Sequence, residues 1–491
     1  MISTATDIRP DGALALLSVA QMAAADAAAI AAGTPGTALM AAAGNVAYEA
    51  IVNRFAPQET LVLAGPGNNG GDGWVVAEKL RRAGWKVRLA SLVPRTELKG
   101  DAAWAAALYR GDVLPARSAA DLGDATLVVD ALFGAGLVRP LEGVARELIE
   151  TINARNLDCI GIDVPSGVHG DTGQVLGAAP RCRLTVTFFR AKPGHLLLPG
   201  RTLCGELVVG DIGIPSKVVD PIGPSLFRNG PGLWRHALPE RRAVDHKYTR
   251  GAVLIFAGAG MTGAARLAAA AARRIGAGLV TILAPDAQTA AVLRTGEPGV
   301  IVREDQDAAL ADKRYGAVLL GPGGGVSNRL RELVLAALKT GRPTVLDADA
   351  LTVFAEDPGM LFNAISGPCL LTPHEGEFSR LFNQIDVKAN KIDKAQLAAR
   401  EAGAAVLLKG ADTVIANPSG RAVINDNAPP ALATAGSGDV LAGFAAGLMA
   451  QELAPLAAGA AAAWGHGQVA RVLNRPLLAE DLVTEFAHIG L

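Results

Sequence analysis

GPGNNGGDG, Gly65–Gly73, stands between the apolar run TLVLA and the amphipathic WVVAEKLRRAGW. A β-branched run that passes through glycines into a helical pattern opens a strand–turn–helix unit of a parallel α/β sheet. Such a connection needs about two to six residues. Nine residues holding five glycines, two asparagines and an aspartate therefore call for a reason. In doubly wound sheets ligands collect at the C-terminal ends of strands, where a glycine-rich turn lets backbone N–H groups and a helix N-terminus face an anion. The plainer alternative is a long polar turn in which Asn and Asp accept left-handed backbone and Asp72 caps the following helix.

Outward from this stretch the alternation continues through KVRLA, TLVVD, GVARELIETINA and CIGID. That pattern predicts parallel strands with helices on both faces. The preceding ALLSVAQMAAADAAAI reads as a helix packed on the outside. Past Asp211 the pattern fades into DIGIPSKVVDPIGPSLFRNGPGLWRHALPERR, whose Pro and Gly content marks a domain boundary. A second alternating series follows, including AVLIFAG, LVTILAP, AVLLGPGGG, RPTVLDADAL, CLLTPHEGEF and AAVLLKGADTVIA.

The chain has 491 residues, enough for two large domains, and half of them are hydrophobic. Its 46 Lys and Arg against 47 Asp and Glu give a net charge of -1, so no basic field for nucleic acid or anionic lipid is expected. No leader is read at Met1–Pro10, and charged residues or glycines break the Ala-rich runs before they could span a bilayer. A soluble, cytoplasmic protein without nucleic-acid or membrane partners is expected. Cys159, Cys182, Cys204 and Cys369 lack paired spacing and are expected to be buried thiols.

Two further strands end in carboxylates: TLVVD in Asp130, followed by ALFGAGLVRP, and CIGID in Asp163, followed by VPSGVHGDTG. A carboxylate at the end of a buried strand is costly unless paired, hydrogen-bonded or coordinated to a cation. In the C-terminal half, ATAGSGDVLAGF sets Gly436, Ser437 and Gly438 at a helix start, with Asp439 next. Exposed N–H groups there stabilise charge on a transferring phosphoryl group while the carboxylate takes a hydroxyl proton. A capped helix after a glycine turn is the simpler reading. The Lys and Gly-rich hairpin of LLKGADTVIA and the His374, Glu375 and Glu377 of LTPHEGEFSRL favour the phosphoryl-transfer reading.

On GPGNNGGDG, VDALFGAGL and IDVPSG, in that order, about residues 10–215 resemble the N-terminal domain of the bifunctional NAD(P)H-hydrate repair enzymes. On TGAARLAAAA, GPGGG, LDADAL, LTPHEGEFSRL, KGADTVIA and ATAGSGDVLAG, roughly residues 240–488 resemble the ribokinase-like NAD(P)H-hydrate dehydratase domain. The expected fold is α/β, with two three-layer αβα domains: Rossmann-like over 1–220, a linker over 221–240, and ribokinase-like over 241–491.

The resemblance implies epimerisation of R- and S-NADHX and NADPHX, nicotinamide cofactors hydrated across the ring, and dehydration of the S form coupled to ADP or ATP. In the epimerase half it implies that Asn68, Asn69, Gly70, Gly71 and Asp72 hold the nucleotide phosphates. Gly134, Ala135, Gly136, Leu137, Val138, Arg139 and Pro140 line the same pocket, and Asp163 meets the hydrated ring, either as acid or base or beside a ring that opens with the help of its own nitrogen and little protein chemistry. It also implies a potassium ion on Asn69, Asp130 and Ser166, oxygen donors suited to a hard cation.

In the dehydratase half, Ala264, Gly323 or Gly324, His374 and Asp439 contact the hydrated cofactor, with Asp439 as base. Lys409, Gly410, Ala411, Asp412, Thr413 and Gly438 bind the nucleotide, and magnesium accompanies it, with Glu377 orienting the ion through water. A homo-oligomer is expected. Two positions depart from the pattern: His374 stands where ribokinase-like kinases carry asparagine, and Thr352 where the family's motif more often ends in asparagine. A small-alcohol or vitamin-precursor kinase with a nucleotide-sensing or scaffold N-terminal domain is the competing reading. His374 within PHEGEF, and the presence of Asp130 and Asp163, weigh against it.

Overall fold

Seven strands, all parallel, build the sheet of the unit Ala15–Pro224: β1 Glu59–Ala64, β2 Lys86–Ser91, β3 Val113–Pro115, β4 Leu127–Ala131, β5 Asp158–Ile162, β6 Leu184–Phe188 and β7 Glu206–Gly210. The computed structural model describes residues 6–386 and 388–491. The strand order is β3-β2-β1-β4-β5-β6-β7, so the winding reverses between β1 and β4, which pair Leu63 with Asp130 and Ala64 with Ala131. Chains leaving those two strands diverge, and a crevice opens above their C-terminal ends. The glycine-rich stretch and the segment after Asp130 both start there.

The stretch is not a nine-residue loop. The helix after β1 already begins at Asn68, with Gly67 as its N-cap, and runs to Arg82. The glycines serve close approach instead of turning. A Cβ on Gly70 would lie 2.0 Å from the Gly65 carbonyl oxygen, and one on Gly73 would lie 2.5 Å from the Ala131 Cβ. The helix can therefore press its first turns onto the switch point. Asp72 lies within the helix and does not cap it. The expected outer helix starts later than its apolar run suggests, at Val19, where Ser18 and Gln21 form a capping box.

The second unit holds Ser225–Leu491 together with residues 6–14. Its strands are β8 Leu226–Arg228, β9 Ala252–Phe256, β10 Leu279–Leu283, β11 Ile301–Arg303, β12 Ala317–Leu320, β13 Thr344–Leu346, β14 Cys369–Leu371, β15 Ala405–Leu408, β16 Thr413–Ala416 and β17 Ala422–Asn425. They pair in the order β11-β10-β9-β12-β13-β14-β15-β16-β17-β8. The run from β11 to β15 is parallel, and β15, β16 and β17 are antiparallel.

Residues 221–240 do not form a linker: β8 lies beside β17, with Phe227 opposite Val423. Phe227 is 1% exposed and Trp234 is fully buried, its Nε1 donating to Asn229 Oδ1 at 3.1 Å. Asn229 in turn donates to Asn425 Oδ1 and the Ala460 carbonyl. The Pro and Gly that read as a tether instead make turns around one added edge strand. Residues 6–14 follow it, since Arg228 N donates to Leu14 O and Arg9 N to Leu233 O. The four cysteines are free and buried, as expected.

Phe227→Ala should therefore lower the stability of the second unit by about 3–5 kcal/mol, the cost of emptying a core aromatic site. Urea unfolding followed by fluorescence measures it. A change near zero is what a tether would give.

Candidate active sites

Asp130 ends β4 with no exposure to solvent. Its carboxylate accepts from the Ser166 hydroxyl at 2.6 Å, from the Ser166 N–H at 2.8 Å and from the Leu132 N–H at 3.3 Å. Burial raises its pKa, and these bonds only partly offset the rise. Among the described residues no ion pair involves Asp130, so its charge is matched by neutral donors alone. The Ser166 Oγ also accepts from Phe133 N at 2.9 Å. On the other side of the same turn the Asn69 amide, oriented to satisfy its bonds, accepts from Gly134 N at 3.2 Å and donates to Ile162 O at 3.0 Å. Asn69, Asp130 and Ser166 thus flank one turn.

Asp163 follows β5 in left-handed backbone, φ 64°. That conformation costs a non-glycine residue energy and persists because its surroundings hold it. Lys192 Nζ lies 2.7 Å from Oδ1 and Thr187 Oγ1 donates to the same oxygen at 3.0 Å, while Ala135 N donates to Oδ2 at 2.9 Å. His195 Nε2 meets the Asp163 carbonyl at 2.7 Å, and its Nδ1 accepts from Lys192 N. His195 is thus a satisfied structural histidine. Burial pushes the Asp163 carboxyl up, but the Lys192 charge, its hydrogen bond and the Ala135 N–H outweigh burial and hold it at about 2. Asp163 is therefore ionised at neutral pH, which removes it as an acid there.

Asp163 lies where two cavities meet. One, of about 380 Å³, is walled by Asn68, Asn69, Asp72, Asp26, Phe188 and Lys192. The other, of about 450 Å³, is walled by Pro66–Asn69 and by Leu132–Arg139. Asn68, Asn69, Ala135 and Gly136 border both. Gly70 and Gly71 are buried beneath, and the chain runs out through Val138, Arg139 and Pro140 to the surface.

In the second unit Gly323, Asp347, His374 and Lys409 follow β12, β13, β14 and β15, Ala264 lies on the helix Thr262–Arg274 after β9, and Asp439 lies on the helix Ser437–Ala450. Gly323 and Ala264 are neighbours, a Cβ on Gly323 falling 3.1 Å from the Ala264 Cβ. His374 caps the helix Glu375–Leu381: its Nδ1 accepts from Gly376 N at 2.9 Å and Glu377 N at 3.2 Å. Those bonds assign the ring proton to Nε2, which faces Glu377 Oε1 at 3.4 Å. Thr352 spends its hydroxyl on Ala348 O within its own helix.

Lys409, at the end of β15, reaches Asp347 Oδ1 at 2.7 Å and Glu377 Oε2 at 3.7 Å. Burial lowers its pKa, but Asp347 and Glu377 more than compensate, and it stays an ammonium. Asp439 stands in the first turn of the helix Ser437–Ala450, next to Gly438. Burial and then the Asp347 charge raise its pKa to about 6, against the pull of Lys409. One lysine thus serves three carboxylates. The Lys409–Thr413 turn is closed by Thr413 Oγ1, which donates to Gly410 O at 2.7 Å. Lys391 braces it from outside through Asp412 Oδ1 at 2.8 Å and Lys409 O at 3.1 Å.

Lys192, Asp26, Asp347 and Lys391 were not singled out from sequence as site residues. Asp347 lay inside the quoted LDADAL, where a carboxylate directly after a buried strand was the available signal.

Residues 36–194 match the family described as YjeF-related protein N-terminus, and residues 253–487 that described as NAD(P)H-hydrate dehydratase. The chain is 38% identical over 485 residues to the bifunctional NAD(P)H-hydrate repair enzyme Nnr of Moorella thermoacetica, covering 91% of each. To the protein of the same name from Salinibacter ruber it is 36% identical over 494 residues, 92% of this chain and 91% of that one. The ADP/ATP-dependent NAD(P)H-hydrate dehydratase of Bacillus subtilis, co-crystallised with ATP and magnesium, aligns with 51% of this chain and 93% of its own at 30% identity, with a TM-score of 0.47.

The Asp163–Lys192 pair has a signed consequence. Its folded-state pKa is depressed from 3.8 to about 2, so its stabilisation is complete above 3.8 and is lost as pH falls towards 2. In Lys192→Met, burial is left without its counterweight, and the Asp163 midpoint should rise above 3.8. Carboxyl ¹³C shifts across pH 1–7 would report it. A midpoint still near 2 would mean that Lys192 does not hold the charge.

Proposed function

The chain belongs to the family of bifunctional NAD(P)H-hydrate repair enzymes, and on that premise we propose how its residues divide the work. Its N-terminal unit interconverts the R and S epimers of NADHX and NADPHX, and its C-terminal unit dehydrates the S form back to NADH and NADPH. Spontaneous hydration yields both epimers, so a stereospecific dehydratase alone would strand one of them.

In the N-terminal unit the hydrated ring enters the cavity walled by Asp163 and Lys192, and the nucleotide phosphates lie along the neighbouring cavity. There the N-terminus of the Asn68–Arg82 helix and the 134–140 segment offer N–H groups. The single observation that carries this reading is that Asp163, an ionised carboxylate fixed by Lys192, borders both cavities. A positive charge developing on the ring is stabilised beside it. Potassium fits Asn69, Asp130 and Ser166: the set is entirely hard oxygen donors, and Asp130 is a buried carboxylate without an ionic partner. When bound, the ion neutralises Asp130 and favours phosphate nearby.

In the C-terminal unit Ala264, Gly323, Gly324 and His374 receive the S epimer, and the Lys409–Thr413 turn with Gly438 receives ADP or ATP. Asp439 takes the proton of the ring hydroxyl as that oxygen attacks the terminal phosphorus. The N–H groups at the start of the Ser437–Ala450 helix and the Lys409 ammonium stabilise the charge on the transferring group. The ring nitrogen's lone pair then expels phosphate, a far better leaving group than hydroxide. The C=N cation so formed loses a proton from the neighbouring ring carbon to water, the C–H pair making the C=C bond of the dihydronicotinamide as the C=N pair returns to nitrogen. Three carboxylates around one lysine leave a negative excess that fits magnesium, and Glu377 and Asp347 would hold it, Glu377 through water. Magnesium supplies charge neutralisation between the phosphates.

Two outcomes follow. Because Asp439 must be ionised and its pKa is raised to about 6, dehydration of S-NADHX should rise tenfold per pH unit below 6 and level off above it. Asp439→Asn should lose about 10²–10⁴-fold in kcat, read as the return of NADH absorbance with ADP or ATP and magnesium. A wild-type rate flat from pH 5 to 8 would remove Asp439 as base. Separately, Asp130→Asn and Asn69→Ala should slow epimerisation of R-NADHX and abolish its response to potassium, while dehydration of S-NADHX keeps its rate. An unchanged potassium response in both variants would place the ion elsewhere.

A further inference from the structure

Asp72, expected from the resemblance to help hold the phosphates, is a buried carboxyl that lines the cavity proposed for the ring and not the one proposed for the phosphates, and the division of work above leaves it without a role in the chemistry. It projects from the Asn68–Arg82 helix, is 9% exposed and lines the same cavity as Asp163 and Lys192. Among the described residues its side chain has no hydrogen-bond or ion-pair partner. A buried carboxylate in that condition is expensive, whereas a buried carboxylic acid with its oxygens on a cavity is a donor awaiting an acceptor.

We propose that Asp72 is the proton donor of the epimerase site, and that epimerisation proceeds by breaking the C–O bond of the hydrated ring and not by opening the ring at nitrogen. This rests on the N-terminal unit being the epimerase.

The charged groups that face Asp72 across the cavity come from four other segments: Asp26 from the Val19–Ala31 helix, Asp101 from the Gly100–Leu108 helix, Asp163 after β5, and Lys192 after β6. Burial, then Asp163, then Asp26 push the Asp72 carboxyl well above its ordinary range, and Lys192 opposes them. Lys192 is already committed to Asp163 Oδ1 and Thr187 Oγ1, the latter at 2.8 Å. Asp163 is ionised and Asp26 is only half-buried. One cavity thus holds a carboxyl without a partner, pushed above its ordinary range, and an anionic one paired with Lys192, the separation of proton affinities by which paired carboxyls take opposite roles.

The step balances as follows. Asp72 gives its proton to the ring hydroxyl, and the C–O bond breaks with its electron pair leaving on water. The lone pair of the ring nitrogen forms a C=N bond, and the cation so made lies beside the Asp163 carboxylate. Water then adds to the opposite face, the C=N pair returns to nitrogen, and the proton released passes through cavity water to the Asp72 carboxylate. Ring opening would break C–N instead and keep the original oxygen on carbon.

The test uses the full chain in ¹⁸O water without ADP or ATP, so that dehydration is off, with R-NADHX as substrate. The S-NADHX formed, separated from R and corrected for spontaneous exchange, should carry ¹⁸O. Asp72→Asn should lose about 10²–10⁴-fold in epimerisation kcat with KM for R-NADHX within about threefold, and should lose the high-pH decline that the wild type shows. Asp26→Asn should keep the high-pH decline. S-NADHX free of ¹⁸O overturns the C–O step without recourse to any variant. An Asp72→Asn rate within threefold of wild type, or a decline that Asp26→Asn and not Asp72→Asn removes, overturns the assignment. A wild type that does not epimerise R-NADHX at all sinks the N-terminal reading itself.

Discussion

A carboxylate buried at the end of a parallel strand must be given a partner, and how that demand is met shapes both units. Asp163 is met by an ammonium and two further hydrogen bonds, from Thr187 Oγ1 and Ala135 N, with its own backbone in the left-handed region. Asp347 is met by Lys409. Asp130 is met only by the Ser166 hydroxyl and N–H and the Leu132 N–H, which leaves room for a cation in the balance. Asp439, in the first turn of its helix, is met less completely than these, facing Lys409 already shared with Asp347, and its pKa is raised to about 6, in the range of a general base. The graded completeness of pairing separates carboxylates that stay charged from those that exchange protons.

That grading suits a substrate with one reactive carbon. The hydrated nicotinamide ring needs a charge-stabilising environment for its two faces to interconvert, and a converted hydroxyl for water to leave irreversibly. On the division of work proposed above, the first task falls to a cavity with an anionic wall, and the second to a helix N-terminus with a base and a lysine at its mouth. Placing the two on one chain keeps their numbers equal, so neither epimer outpaces its repair.

Much of this was legible in the sequence. Alternating β-branched and amphipathic runs showed two α/β halves, and strand-final Asp130 and Asp163 with the Gly436–Asp439 helix start stood out as candidate site residues, because those features are local. What was hidden depends on long-range pairing: Lys192 is 29 residues from Asp163, and Lys409 is 62 from Asp347. No periodicity records such a meeting. Glycine is ambiguous in another way, since Gly70 and Gly73 look like turn residues but serve close packing inside a helix. The strand Leu226–Arg228 was lost among prolines and glycines because three residues carry too little pattern to stand against them.

The central claim is that each unit carries its own complete carboxylate-centred site for one shared substrate. Mixing Asp163→Asn protein with Asp439→Asn protein, each folded and at equal concentration, on pure R-NADHX with ADP or ATP, magnesium and potassium tests it most directly. Neither variant alone should return NADH from the R epimer beyond the spontaneous rate, and the mixture should restore it, because each supplies the site the other lacks. If the mixture stays inactive, or if either variant alone converts R-NADHX at the wild-type rate, the assignment of one site to each unit is wrong.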